Sequence, residues 1–112
     1  MKTQSAKAKG RKLQQMVRDL ILEAFPSLEP DDVRSTSMGC SGEDLQLSPA
    51  ARRLFPYSVE AKNVEKLNVW GAYEQAVANS GEHEPLLVMK KNRKKPLVVL
   101  DLEAFIELLK DD

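Results

Sequence analysis

The chain has 112 residues, 42% hydrophobic and 30% charged, and its 17 Lys plus Arg are balanced by 17 Asp plus Glu. That length fits one domain, and a chain of this size buries roughly 65% of its unfolded surface, enough for one modest core. No apolar run approaches the roughly 18 residues a membrane-spanning helix needs, and the basic N-terminus has no apolar segment behind it of the kind a secretory signal carries. One cysteine, Cys40, excludes an internal disulfide, and with one histidine, His83, it excludes a structural zinc site built from those ligands in one chain. A lone thiol fits a cytoplasmic protein. A Cys40–His83 nucleophile pair exists on paper only, because Cys40 sits in a glycine-rich turn and His83 lies in a polar loop between Glu82 and Glu84.

Residues 1–9 read as a basic, flexible tail, which leaves 10–112 as one domain. From Arg11 to Phe25 the apolar residues Leu13, Met16, Val17, Leu20, Ile21 and Ala24 recur at the spacing of one buried helix face, and Pro26 ends that helix. Val33–Met38 reads as a short strand, 39–42 as a flexible turn and Asp44–Leu47 as a second strand. Ser48-Pro49 starts a helical excursion through Leu54, with a capping hydroxyl and a proline in the first turn. Pro56 stops it, and Tyr57–Lys62 forms the next strand.

Asn68 caps a second long helix, with Val69, Trp70, Tyr73, Ala76 and Val77 on one face, Trp70 and Tyr73 for core or dimer packing, and Ser80-Gly81 closing it. Leu86–Met89 is a continuous apolar run of the kind a strand buried on both faces shows. With Leu97–Leu100 it forms a hairpin whose basic tip holds Asn92-Arg93. Asp101 caps a last helix that turns Leu102, Phe105, Ile106 and Leu109 inward. The order α-β-β-β-α-β-β-α predicts an α/β or α+β sandwich, one central mixed sheet flanked by helices.

Zero net charge hides an uneven distribution. Residues 1–12 hold Lys2, Lys7, Lys9, Arg11 and Lys12 and no acid. Residues 90–95 hold Lys90, Lys91, Arg93, Lys94 and Lys95, while 101–112 is strongly acidic. Two basic clusters on a neutral chain point to an anionic partner or, equally, to a solvated tail and hairpin tip.

The candidate chemistry lies at Asp44, Glu60 and Lys62. In a strand side chains alternate, so Val59 and Ala61 face the core while Ser58, Glu60 and Lys62 share the other face. If the strand holding Asp44 pairs with this one, Asp44 and Glu60 converge on one cation. Two carboxylates and a backbone carbonyl suit Mg²⁺, a hard ion that keeps several waters. Such an ion polarises a phosphoryl oxygen and acidifies a bound water, and a neighbouring lysine stabilises charge in the transition state. Taken singly, Glu-x-Lys is more often a solvated cross-pair, and an aspartate after a glycine turn is more often turn chemistry.

In combination, Gly42-Glu-Asp44 followed by Val59-Glu60-Ala61-Lys62 resembles the PD-(D/E)XK nuclease superfamily. More narrowly the chain is similar to Holliday-junction-resolvase-like enzymes of archaea and phages. Lys9-Gly10-Arg11 matches their basic segment and helix-opening glycine, Val33-Arg34-Ser35 their first strand, and Ser41-Gly42-Glu43-Asp44 their turn into the metal-binding aspartate. The resemblance covers about residues 9–90. It implies a restriction-endonuclease-like αβββαβ core and an Mg²⁺-dependent DNA endonuclease, with Mn²⁺ a possible substitute. Carried over, Asp44 and Glu60 bind metal together with the carbonyl of Ala61, and Lys62 assists the attacking water. The family's first-helix glutamate aligns with Gln14, a departure that leaves only a neutral oxygen there, able to bind metal weakly or to orient a water.

Further candidate DNA contacts are Arg34 and Ser41 near the scissile phosphate, Gln75 on the helix after Lys62, and, tracking phosphates, Arg11 in the basic N-terminal segment with Lys91, Arg93 and Lys94 at the hairpin tip. Contacts of this kind position a nucleic-acid backbone without reading bases. With no helix-turn-helix, zinc-finger or RNA-recognition motif present, the expectation is structure-directed recognition of branched or duplex DNA. Cutting two strands needs two sites, so a two-fold homodimer is expected, acting in the cytoplasm, or the host cytoplasm for a phage enzyme. The alternatives are a nicking or single-strand nuclease of the same fold, and a non-catalytic DNA-binding module.

Overall fold

A computed structural model describes residues 2–36 and 42–110. In chain order its elements are α1 (Lys2–Ala24), a 3-10 turn (Pro30–Asp32), β1 (Val33–Ser35), β2 (Leu45–Leu47), α2 (Pro49–Leu54), β3 (Tyr57–Asn63), α3 (Val69–Asn79), β4 (Glu84–Lys90), β5 (Leu97–Val99) and α4 (Leu102–Leu109). This is the expected α+β class. The expected end of the first strand, 37–38, and the candidates Cys40 and Ser41 lie outside the described residues.

The helix starts follow from local chemistry. Ser48 Oγ accepts from the N–H of Ala51 at 3.1 Å, Asn68 Oδ1 from Gly71 at 3.1 Å and Asp101 Oδ2 from Ala104 at 3.0 Å, so all three predicted caps form. Ser48 Oγ also donates to Asp32 Oδ1 at 2.6 Å, and Asp32 Oδ2 accepts from the N–H of Glu29 at 2.7 Å. These bonds, that from Ser48 first, hold the Asp32 carboxyl below its ordinary pKa. They tie the 3-10 turn to the start of α2.

β1 and β2 are antiparallel, with Val33 opposite Leu47. β3 runs parallel to β4, from Tyr57 opposite Glu84 to Asn63 opposite Lys90, and β5 lies antiparallel on the far side of β4. The single central sheet expected from the sequence is therefore two sheets, one of two strands and one of three. They meet at Asp44. Its N–H donates to the carbonyl of Val59 at 2.9 Å, and its own carbonyl accepts from the N–H of Thr36 at 2.9 Å. The N–H of Ala61 is taken by the Asp44 carboxylate instead, at 2.7 Å. A continuous ladder pairs main chain with main chain; a side chain occupies that place here, and the ladder between β2 and β3 stops.

α1 packs Leu13 and Ile21 into a core with Val33, Leu45, Val59, Ala61, Leu86 and Val88. Burying each large aliphatic side chain of this set contributes about 1.5–3 kcal/mol. Arg18 fastens the same helix through Nε to the carbonyl of Val33 at 2.7 Å and through a second guanidinium nitrogen to that of Pro30 at 3.1 Å. Alternation along β3 and β4 leaves Ser58, Glu60 and Leu87 on the opposite face, where α3 packs.

Three further expectations need correction. The basic segment 2–9 is not a separate tail but the first turns of α1. Alanine and lysine are good helix formers, no proline interrupts them, and Gly10 costs only about 1 kcal/mol. On α3 the buried residues are Ala72 and Ala76, while Trp70 is 81% exposed and Val77 is also exposed. Close approach to the sheet selects the small side chains, leaves Val69 and Tyr73 partly buried and turns Trp70 and Val77 out. On α4, Leu102, Phe105, Ile106 and Leu109 all remain exposed. Their stripe is helical, but α4 follows β5 at the edge of the three-stranded sheet and packs extensively against no other element.

Candidate active site

Glu60 stands at the middle of β3 and is 4% exposed, covered by the small residues of α3. Both its oxygens are engaged. Oε1 accepts from Asn79 Nδ2 at 3.3 Å, and Oε2 lies 3.4 Å from Lys62 Nζ. Asn79 is the last residue of α3, so one turn of helix and one strand meet at this carboxylate. Lys62 is two residues further along the same strand face and only half-buried.

Asp44 brackets Glu60. It bonds Val59 through its N–H and Ala61 through its carboxylate, the two neighbours of Glu60 in sequence. Burial pushes the Asp44 carboxyl up, from 3.8 to about 6. The N–H of Ala61 opposes that rise, the Glu60 charge adds to it, and the Lys62 charge opposes it. Two carboxylates thus lie in a partly desolvated setting with one ammonium. Desolvation and a like-charged neighbour are what a cation relieves, and a donor set made only of oxygens suits a hard divalent ion holding waters on its other positions. The residues present fit Mg²⁺ on those grounds. Among the described residues no group of three or more Asp, Glu, His or Cys clusters in metal-binding fashion, so the two carboxylates are the acidic part of the site.

The remaining predicted residues separate into those at the site and those away from it. Ala61 lies against Asp44 through its N–H, with its methyl in the core. Gln14 is buried on α1, and its Oε1 accepts from Ser35 Oγ at 2.6 Å. That bond ties α1 to β1. Arg34 is exposed and lies 3.7 Å from Asp31, while Gln75 is exposed on α3. Arg11 is exposed on α1, and Lys91, Arg93 and Lys94 are exposed between β4 and β5. Ser41 lies outside the described residues.

The two basic clusters lie at one end of the molecule. Asn63, the last residue of β3, donates through Nδ2 to the carbonyl of Lys9 at 3.3 Å and is opposite Lys90 in the β3–β4 register. The start of α1 and the β4–β5 turn therefore flank the same strand end, one residue beyond Lys62. The turn is closed by the N–H of Lys94 on the carbonyl of Lys91 at 3.1 Å and by the N–H of Asn92 on Glu65 Oε2 at 2.7 Å. Arg93 adopts a left-handed φ of 64° there, which presents its side chain from a sharp turn.

Sequence reasoning missed Asn79 and the pair Glu43–Arg52. Asn79 follows Ala72 and Ala76 on the buried stripe of α3, and a polar residue on an otherwise small-residue face was the signal available. Arg52 donates to Glu43 Oε2 at 2.7 Å and to the carbonyl of Tyr57 at 2.8 Å, which holds the residue before Asp44 to the start of β3. That pairing spans α2, a loop and a strand, and no local spacing announces it. No family model, curated relative or solved structure matches this chain.

Proposed function

We propose that the chain is a metal-dependent DNA endonuclease of the PD-(D/E)XK kind, hydrolysing phosphodiester bonds in a structure-directed way. The observation that carries this is the convergence of Asp44, Glu60 and Lys62, with the Asp44 carboxyl raised to about 6 beside a second carboxylate. The basic start of α1 and the basic β4–β5 turn, both beside the end of β3, support an anionic polymer as the substrate.

In this mechanism Asp44 and Glu60, with the carbonyl of Ala61, hold Mg²⁺ or Mn²⁺, which when bound supplies a Lewis acid for the phosphoryl oxygen and an acidified water. Asp44 must give up its proton to serve as a ligand, and its raised pKa makes that easy only above about pH 6. Lys62 Nζ, held beside Glu60 but half open to solvent, turns toward the attacking water or the developing phosphorane charge. Asn79 keeps Glu60 in one orientation. Arg11, Lys91, Arg93 and Lys94 bind phosphates on either side and set the strand in place.

The test is incubation of the protein with labelled four-way junction, duplex and single-stranded DNA, with Mg²⁺ or with EDTA, beside Glu60→Ala and Lys62→Ala. Mg²⁺-dependent cutting lost in both variants is expected, with the junction cut fastest. Preference for nicked or single-stranded product patterns would assign a nicking enzyme of the same fold. Binding of DNA without cutting under Mg²⁺ or Mn²⁺, unaffected by either substitution, would overturn the catalytic assignment in favour of a DNA-binding module.

A further inference from the structure

Lys62 shares its face of the sheet with two apolar residues. In the strand register it stands opposite Met89, and Met89 stands opposite Leu97, so one row crosses β3, β4 and β5 on the side where α3 packs. Neighbouring strands lie about 5 Å apart, so this apolar floor runs from about 5 to about 10 Å from Lys62. Leu97, at its outer end, is 58% exposed. Val64 and Leu67 of the loop after β3, with Val69 at the start of α3, wall a pocket of about 350 Å³ above the floor. Lys90, Lys91, Lys94 and Lys95 form its rim. Glu65, the acid on its lining, accepts from the N–H of Asn92 at 2.7 Å. That bond fastens the loop after β3 to the β4–β5 turn and holds the two sides of the pocket at a fixed separation, so a ligand finds it already formed.

We propose that this pocket takes the base of an unpaired nucleotide adjoining the phosphate held at Asp44, Glu60 and Lys62. The inference rests on the DNA reading above and narrows its substrate to strands that carry an unpaired nucleotide at the cut. Shape is the first reason. The volume falls within the roughly 300–1,000 Å³ of small-ligand sites, and the floor and walls are aliphatic. Bases inside a duplex are stacked on both faces and offer only their edges, so a pocket of this kind reaches a base only after it has left the stack. Charge is the second reason. A base seated on Met89 and Leu97 leaves its phosphates at the mouth, among four lysines and one engaged carboxylate. Position is the third. The floor continues the row that begins at Lys62, so one nucleotide strand spans the carboxylate pair and the pocket together. An anionic lipid would satisfy the lysines and the floor but leaves the adjoining carboxylates without a role.

Fluorescence anisotropy of the full chain in EDTA, where no metal supports cutting, tests this with two DNAs. One is a perfect duplex, and the other is the same duplex with a single unpaired adenine. The wild type is expected to bind the second about five- to tenfold more tightly, the low end for one base because the pocket is aliphatic rather than aromatic. Leu97→Gln changes no charge at an exposed position, so it should bring that ratio near one and leave perfect-duplex affinity unchanged. Val98→Gln, at the next residue, is the control. Val98 is 61% exposed and lies on the opposite face of β5, so the ratio should stay at its wild-type value. With 2-aminopurine replacing the unpaired adenine, emission should rise on binding to the wild type and not on binding to Leu97→Gln. Circular dichroism of both variants should match the wild type. Equal affinity of the wild type for the two DNAs would overturn the proposal. So would a preference that survives Leu97→Gln or that Val98→Gln removes equally. Binding to phosphatidylglycerol vesicles that needs Leu97, with no preference between the DNAs, would assign the pocket to a lipid anion and overturn it as well. The nuclease assignment is read separately. Mg²⁺-dependent cutting without the preference removes the pocket and keeps the nuclease, and the preference without cutting does the reverse.

Discussion

Asp44→Asn is expected to stabilise the metal-free protein at neutral and alkaline pH. In the folded chain the Asp44 carboxyl titrates near 6 rather than 3.8, chiefly because it is desolvated. A carboxyl whose folded pKa exceeds its unfolded one binds its proton more tightly in the folded state. Its contribution is therefore fully present below about pH 4, is lost as pH rises through about 6, and stays lost above that. The shift corresponds to about 3 kcal/mol at 1.36 kcal/mol per pH unit. Asp44 is partly open to water, and screening reduces this to about 1–2 kcal/mol. Asparagine keeps an oxygen to accept from the N–H of Ala61, though as a weaker, neutral acceptor, which costs a few tenths to about 1 kcal/mol. The net gain at pH 8 is thus about 1 kcal/mol, or roughly 4 °C in Tm. Urea unfolding of both proteins in EDTA from pH 4 to pH 8, followed by circular dichroism, measures it. The difference should grow from near zero or negative at pH 4 to its full value above pH 6. A variant less stable than wild type at pH 8, or a difference that does not change with pH, would refute the desolvation argument. Added Mg²⁺ should then raise the wild-type Tm and leave that of Asp44→Asn where it is.

Asn79→Ala removes the donor to Glu60 Oε1 and should lower cleavage about tenfold by mispositioning that carboxylate, with Asn79→Gln restoring little because its extra methylene displaces the amide from Oε1 in a buried site; single-turnover rates under saturating Mg²⁺ check this. Ser48→Ala removes both the α2 cap and the hydroxyl donor to Asp32, and denaturant unfolding should show a loss of about 1 kcal/mol. Leu45→Ala should cost about 2–5 kcal/mol by opening a cavity in the core, whereas Trp70→Ala, despite the larger side chain, should change stability by less than about 0.5 kcal/mol because Trp70 faces solvent. Replacing Lys91, Arg93 and Lys94 together by alanine should weaken DNA binding at low salt and flatten its salt dependence, read by fluorescence anisotropy across a salt series.

What the sequence determined by itself is what nearest neighbours along the chain decide. Ser48, Asn68 and Asp101 cap their helices because a short polar side chain two or three residues from a free N–H needs nothing distant to bond it. Period-two alternation assigned Val59 and Ala61 to the core and Glu60 to the opposite face of β3 for the same reason. The meeting of Asp44 with Glu60 was readable only as a condition on strand pairing, and the fold meets that condition through the main chain of Val59 and Ala61 rather than through a ladder. Asn79 on Glu60, Ser35 on Gln14 and Arg52 on Glu43 join residues 9 to 21 positions apart, and only the docking of helices on strands brings them within reach. The stripes of α3 and α4 show the limit most plainly. Periodicity finds an apolar face, but whether it is buried depends on which surfaces are still free when the helix arrives. Against the sheet the alanines of α3 won the close approach and Trp70 was turned out, and α4, following β5 at the sheet's edge, packs extensively against no other element, so its apolar stripe stands open.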